Sequence, residues 1–209
     1  MHEYNEDTRI HTIDGIRVPS VSQLLPREEV WVSDEVYEAA RLDGIDKHSL
    51  IEKFLATGDT DFDPMLEAFA ELIEGKELLA SERPLFSEKH KFCGKPDILW
   101  ADATWDIKRS FGRSVKHALQ LAAYDILREE NGLGSNNEWW VAVWDGEEWK
   151  LRNVFKNYQD SREWFLQLVS FHWYYKPKQR EIIQNIVEDA SKEVLDENGM
   201  QIFHVIHEV

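Results

Sequence analysis

The sequence has a single cysteine, Cys93, among its 209 residues. That excludes an internal disulfide framework and any four-cysteine zinc or iron–sulfur site. A reducing cytoplasm is the setting this implies. No run of about 18 apolar residues is present, so no segment reads as a membrane-spanning helix. The stretch from Met1 to Gly15 is acidic and polar, whereas a secretory leader needs a basic start and an apolar run, so none is expected. The pattern G-x-x-x-x-G-K-[ST] is missing, which removes an ATP-driven motor. Positive charge is also scarce. With 24 Lys and Arg against 40 Asp and Glu the net charge is -16, which argues against a protein that coats nucleic acid with its whole surface.

What is present is a chain able to bury a core, since 43% of it is hydrophobic and 31% charged. The charge is uneven. Lys89, Lys91, Lys95, Lys108, Arg109, Arg113 and Lys116 face only Asp97, Asp102 and Asp106 across residues 89–117, a local excess of four cations. Such a stretch holds a phosphate backbone if it forms a patch, and is an ordinary solvated surface if it does not.

Residues 1–18 read as extended, with a hairpin turn at Asp14-Gly15. A short helix follows around Leu24 and Leu25. Ser33 is the expected N-cap of a helix that falters at Gly44, resumes through Ile45, Ile51, Phe54 and Leu55, and ends at Gly58. Residues 64–74 form an amphipathic helix with Pro64 in its first turn. Leu78–Phe86, Lys91–Trp100 and Thr104–Lys108 read as three strands, Ser114–Glu129 as a helix, and Glu138–Trp144 and Glu148–Phe155 as a hairpin pair around Asp145-Gly146. A helix over 158–174 should bury Trp164, Phe165, Leu168 and Phe171. Beyond it lie a helix over 179–195, a turn at Asn198-Gly199 and a short strand. This order predicts an α/β or α+β core with a mixed sheet. One domain over 1–209 is expected, with a mainly helical part at 1–75 and a C-terminal extension at 176–209.

The informative stretch is Gly94-Lys95-Pro96-Asp97-Ile98-Leu99-Trp100 followed by Trp105-Asp106-Ile107-Lys108. Strand alternation points Asp106 and Lys108 to one face and Ile107 to the core. Asp97 lies one hairpin away and can reach the same point. Two carboxylates and an ammonium are what metal-assisted phosphodiester hydrolysis requires: oxygen ligands for a hard cation, and a cation that orients water and offsets developing charge. D-x-K alone is a three-residue pattern that any exposed strand can show.

Its surroundings make it more specific. Over roughly residues 18–127 the chain resembles the RecB-like branch of the PD-(D/E)xK nuclease superfamily. Four parts occur in that branch's order: His48 in a helix, Gly94 to Asp97, Asp106 to Lys108, and Gln120 to Tyr124 in the following helix. Pro19-Ser20-Val21-Ser22 is similar to the P-S-V-T segment of phage nucleases and of the mitochondrial genome maintenance exonuclease. The resemblance implies a restriction-endonuclease-like core, an α/β fold whose central mixed sheet is flanked by helices. It implies Mg2+ or Mn2+ held by His48, Asp97, Asp106 and the Ile107 carbonyl, with Lys108 as the catalytic lysine and Glu82, Gln120 and Tyr124 beside them. It implies DNA as partner, with ends preferred, and a recombination or replication protein as a further one, in a bacterial host's cytoplasm. Unlike the cysteine-rich relatives, this chain can hold no iron–sulfur cluster.

In the helix after D-x-K, Val115, Leu119, Ala122 and Ile126 form the expected packing stripe, and Lys116, Gln120 and Tyr124 share another face. Arg109, Ser110 and Arg113 lie on the loop entering it, where cations and backbone N–H groups can receive phosphate. Most of the nine tryptophans fall in the last third, suited to core packing, partner contact or base stacking. An exonuclease, an endonuclease and a non-catalytic acidic protein that binds or mimics nucleic acid all remain compatible with these residues. The intact Asp97, Asp106 and Lys108 set favours the enzymes, and the net charge favours the last.

Overall fold

Asp14 and Gly15 both take positive φ, 52° and 76°, and join two strands in register at Ile13 and Ile16. Two left-handed residues make the tight turn whose twist matches a hairpin. β1 (His2–Asn5), β2 (Ile10–Ile13) and β3 (Ile16–Val18) thus form an antiparallel three-stranded sheet. The structure is a computed structural model, and it describes residues 1–5, 10–26, 47–112, 114–136, 138–155, 158–178 and 181. The part up to residue 46 of the helix expected from Ser33 to Gly58, the loop cation Arg113, the helix expected over 179–195 apart from residue 181, and the turn and strand expected after it lie outside the described residues.

After β3 come the short helix α1 (Val21–Leu24), helix α2 (residues 47–57) and α3 (Pro64–Leu72). Asp63 caps α3 by accepting a hydrogen bond from the Met65 N–H at 2.8 Å. Gly58, at φ 73°, closes α2, and its N–H donates to the Phe54 carbonyl. Next are β4 (Leu78–Ser81), β5 (Leu85–Ser87), β6 (Phe92–Gly94), β7 (Ile98–Trp100), β8 (Thr104–Lys108), α4 (Ser114–Glu130), β9 (Trp139–Trp144), β10 (Trp149–Asn153) and α5 (Ser161–Ser170).

The architecture is mixed α/β. A five-stranded sheet runs in the order β10-β9-β8-β7-β4, and β5 pairs with β6 in a separate ribbon. All pairs in the large sheet are antiparallel except β8 with β9, which α4 connects in a βαβ crossover. Ile51 and Phe54 from α2 and Met65, Leu66 and Phe69 from α3 pack on the sheet face that displays Ile98, Trp100, Trp105 and Ile107. α4 packs against β8 and β9 as well as β5. By strand alternation Thr104, Asp106 and Lys108 point away from the Trp105 face. β8 is therefore central to the sheet, and its middle residues are shielded on both faces.

Two expected strands are each split. Leu78–Phe86 divides at Glu82-Arg83-Pro84, and Lys91–Trp100 divides at Lys95-Pro96-Asp97. Proline has no N–H for the ladder, and Glu82 takes φ 49°, which strands do not use. The splits divert β5 and β6 into their own ribbon and leave Glu82 and Asp97 at the breaks.

Two helix faces need correction. Val115 is 50% exposed, so the packing stripe of α4 begins at Leu119 rather than Val115. In α5 the buried positions are Ser161, Phe165 and Val169, while Leu168 is half-buried, Trp164 is 41% exposed, and Phe171, just past the end of α5, is 48% exposed. The inward face follows the i, i+4 row through Phe165, and Trp164 lies one residue off it.

The chain divides into two compact units, Met1–Val169 and Ser170–Val209. The described start of the second is a π-helical turn, Phe171–Tyr175, with helix continuing to 178. Among the described residues no helix is long and apolar enough to cross a membrane.

Candidate active site

β8 ends in Asp106, Ile107 and Lys108. The Lys108 Nζ donates to Asp106 Oδ1 at 2.7 Å, so the two side chains share a face, and the Ile107 side chain enters the core. Asp106 is fully buried, and among the described residues its Oδ2 has no hydrogen-bond partner. Burial raises its pKa above the usual carboxylate range, the Lys108 charge opposes that shift, and Asp97 adds to it. Burial lowers the pKa of Lys108, but the Asp106 and Asp97 charges outweigh this and raise it.

Asp97 sits at the break before β7. Its Oδ2 accepts from the Ile107 N–H at 2.7 Å, which ties it across the hairpin to β8. Its own carbonyl accepts from Ser81 Oγ at 3.0 Å, and the Glu82 N–H donates to the Pro96 and Asp97 carbonyls. The left-handed backbone at Glu82 is what turns the end of β4 inward; such a conformation in a non-glycine residue costs free energy and is found where surroundings enforce it.

His48 comes from α2. Its Nδ1 lies 3.3 Å from Glu82 Oε1 and 3.7 Å from Asp97 Oδ1, and its Nε2 donates to the Ile107 carbonyl at 3.2 Å. Three oxygens thus converge on one imidazole. Burial opposes charge on that ring, but the Glu82 hydrogen bond and the Asp97 charge prevail over it and raise its pKa to about 9. Lys95 Nζ stands 3.3 Å from Glu82 Oε2. Burial favours the neutral form of Glu82, and its contacts with His48 and Lys95 overcome this and lower its pKa.

These groups fit a hard divalent cation. His48, Glu82 and Asp97 each offer a ligand atom, all within 4.8 Å of one another. The Ile107 carbonyl, in contact with the His48 ring, is a further oxygen donor of the kind Mg2+ and Mn2+ take, while Asp106, whose Oδ2 is buried and unpartnered among the described residues, stands outside that three-residue group. This donor chemistry does not distinguish the two metals.

The other expected residues are placed as follows. Tyr124 is buried on α4, and its hydroxyl accepts from Gln120 Nε2 at 2.9 Å. Tyr124 lines a cleft of about 430 Å³ together with Glu82, Gly94 and Lys95. Lys116 is half-buried on α4 and does not line that cleft. Arg109 and Ser110 are exposed on the loop after Lys108. Pro19 and Ser20 dock on β6: the Cys93 N–H donates to the Pro19 carbonyl at 3.0 Å, and Ser20 pairs with Cys93 in a parallel bridge. The P-S-V-S segment therefore lies beside the Gly94 strand.

Gly94 explains itself sterically. A Cβ there would stand 2.9 Å from Val21 Cγ2, 3.0 Å from Leu127 Cδ1 and 3.1 Å from Tyr124 Cε1. Gly94→Ala is expected to cost about 1–3 kcal/mol through overpacking. A urea midpoint equal to wild type would show that the three neighbours simply give way.

Sequence reasoning did not single out Lys95 as a site residue, and it missed His117. Lys95 was visible as one cation of the basic stretch, but its pairing with Glu82 depends on the two strand breaks. His117 is 5% exposed on α4, and its charge bears on Asp106. Only the packing of α4 on β8 brings it there.

The imidazole gives a pH expectation for the metal-free protein. The folded pKa of His48, about 9, lies above the ordinary imidazole value of 6.5. Its contribution to stability is complete below the lower value and is lost as pH rises through the higher one. The thermal midpoint of wild type in chelator should fall across that window, on the order of a few degrees, and His48→Asn should flatten the fall. Divalent binding requires the neutral ring, so metal affinity should rise over the same interval. A midpoint that climbs with pH in chelator would contradict the assignment.

No protein-family model matches this chain, and no curated protein sequence matches it.

Proposed function

We propose that the chain is a divalent-metal-dependent deoxyribonuclease with the restriction-endonuclease-like core of the PD-(D/E)xK superfamily, in its RecB-like branch. Its activity is exonucleolytic, hydrolysing phosphodiester bonds at DNA ends in phage or bacterial recombination, replication or repair. The observation that supports this is the convergence of His48, Glu82, Asp97 and the Ile107 carbonyl next to the buried Asp106–Lys108 pair.

Asp97, Asp106, the Ile107 carbonyl and His48 would hold Mg2+ or Mn2+, with Glu82 at hand. When bound, the ion would polarise a phosphoryl oxygen and make an attacking water more acidic. Lys108 keeps its proton beside two carboxylates, so it offers a fixed positive charge to the phosphate and a donor that orients the attacking water. Asp97 accepts from the Ile107 N–H and thereby fixes the carbonyl-bearing turn of β8. Burial on both sheet faces keeps water away from Asp106 and strengthens its electrostatic interactions. Arg109 and Ser110, and Arg113 by sequence, would meet the backbone of the DNA, while the acidic remainder limits non-specific retention.

The test is digestion of end-labelled linear DNA with Mg2+ or Mn2+, set against closed circular plasmid and circular single strands. The exonuclease reading expects loss of linear DNA alone, and loss of that activity in chelator. Equal cutting of circles would establish an endonuclease on the same fold. DNA bound or mimicked but never cut with either metal would favour the acidic non-catalytic protein to which the net charge of -16 points.

A further inference from the structure

The cleft beside the metal-binding residues continues past them. From Glu82, Lys95, Gly94 and Tyr124 it runs to Ser20 and Ser22 on the P-S-V-S segment and to Gln23 just after it, then to Tyr4 and His11 on the N-terminal sheet. Its far end lies away from Asp106 and Lys108, neither of which lines it. The chemistry there has two halves. One is polar: Ser20 and Ser22 hydroxyls 3.0 Å apart, with Lys95, whose ammonium also pairs with Glu82 at 3.3 Å, as the cation. The other is aromatic. Tyr4 stacks on His11 with centroids 4.4 Å apart, and His11 meets Phe86 edge-on at 5.7 Å.

His11 is 7% exposed, and burial together with the Lys95 charge lowers its pKa, so the ring backing Tyr4 is a neutral imidazole. Tyr4 itself is half-buried. Two rings behind it hold it in place, so a flat ligand could stack on it with little loss of side-chain freedom. A flat apolar surface next to hydroxyls and one ammonium matches the two ends of a nucleotide: a base with its π-face, and a phosphate. About 430 Å³ is the size of pocket that encloses one small-molecule unit. A base still paired in a duplex cannot lie against Tyr4 without leaving its stack.

We infer that this cleft is a subsite for one unpaired nucleotide of the DNA strand being cut, with its base against Tyr4 and its phosphate toward Ser20, Ser22 and Lys95. This rests on the nuclease reading and extends it by assigning a single-stranded end as the substrate form. Tyr4 acts there as a positioning residue remote from the reacting atoms. Its loss should weaken binding and raise KM while leaving kcat near wild type.

The experiment uses the full chain and a short single-stranded oligodeoxynucleotide carrying 2-aminopurine at the terminal base, with Ca2+ in place of the catalytic metal. Wild type should quench the probe on binding, Tyr4→Phe should keep the quenching, and Tyr4→Ala should lose it with affinity reduced about tenfold, a typical value for one stacked base. Tyr4→Leu, which retains apolar bulk for the N-terminal sheet, gives the same reading should the alanine variant fail to fold. If wild type cuts linear DNA and Tyr4→Ala and Tyr4→Leu bind and quench as wild type does, the subsite is overturned and the nuclease reading stands. If wild type neither binds nor cuts DNA, both fall together.

Discussion

Asp106→Asn should abolish DNA hydrolysis and leave the protein as stable as wild type or more so. The asparagine is isosteric, and its carbonyl oxygen can still accept from Lys108. What it removes is the negative charge that a divalent cation needs. Losing several kcal/mol of transition-state stabilisation corresponds to about a 10³-fold fall in rate or more. Stability should move the other way. Burial raises the pKa of Asp106, so keeping it ionised costs folding free energy at neutral pH, and Lys108 offsets only part of that. The amide carries no such cost, and the Asp97 charge remains to hold Lys108 protonated. Paired measurements of turnover on linear DNA and of thermal midpoint without metal decide the matter. A marked drop in the midpoint would mark the Asp106–Lys108 pair as a structural ion pair instead.

Arg128→Ala should destabilise the chain by about 3–5 kcal/mol, the range for stripping one partner from a buried charged network. Arg128 is 2% exposed. Its Nη1 donates to the Trp100 carbonyl at 2.7 Å and the Ala103 carbonyl at 3.1 Å, and its Nη2 to the Ala101 carbonyl at 2.8 Å. Its Nε reaches the carbonyls of Leu133 and Gly134 at 3.2 and 2.9 Å. One guanidinium therefore satisfies the turn between β7 and β8 and the loop that leaves α4. Without it those carbonyls lose their donor. Lysine lacks the planar fork of donors, so Arg128→Lys should restore only part of the loss. Urea unfolding gives the number, and a midpoint within error of wild type for Arg128→Ala would refute this role. Neither variant removes a group that faces DNA, so activity per folded molecule should be retained.

The elements with strong local signals were readable from the chain. The Thr104–Lys108 strand, the α4 helix, the β9–β10 pair and the Asp14-Gly15 turn follow from alternation, helical periodicity and turn chemistry, all of which act within a few residues. The pairing of Asp106 with Lys108 was readable for the same reason. Long-range features were not. That β4 and β6 end where they do depends on Pro84, Pro96 and the left-handed Glu82, and their effect appears only when β4 pairs with β7. Glu82 is placed near the site only by the family resemblance, and its reach to His48 and Lys95 depends on the break that turns it inward. His48 was placed by its position in a pattern, but its contact with the Ile107 carbonyl required α2 to lie on the Trp105 face. The error at Trp164 has a plainer cause: a large apolar side chain was counted inward without testing which row of the helix carried Phe165 and Val169.

β8 carries Asp106 and Lys108 and has two unlike neighbours. With β7 it closes over a short hairpin, Ile98 to Trp105 and Leu99 to Thr104. On its other edge it waits for β9, where Thr104 aligns with Trp139 and Lys108 with Val143 across the whole of α4. A contact of that span is entropically costly before anything rewards it, so parallel pairing of this kind is slow. During folding the strand bearing Asp106 and Lys108 is consequently an open edge, with unpaired amides and carbonyls and a flank of Trp105 and Ile107. That makes β8 the place where a partly folded chain would recruit another strand and aggregate, and it makes the arrival of β9 the step that covers the edge bearing Asp106 and Lys108.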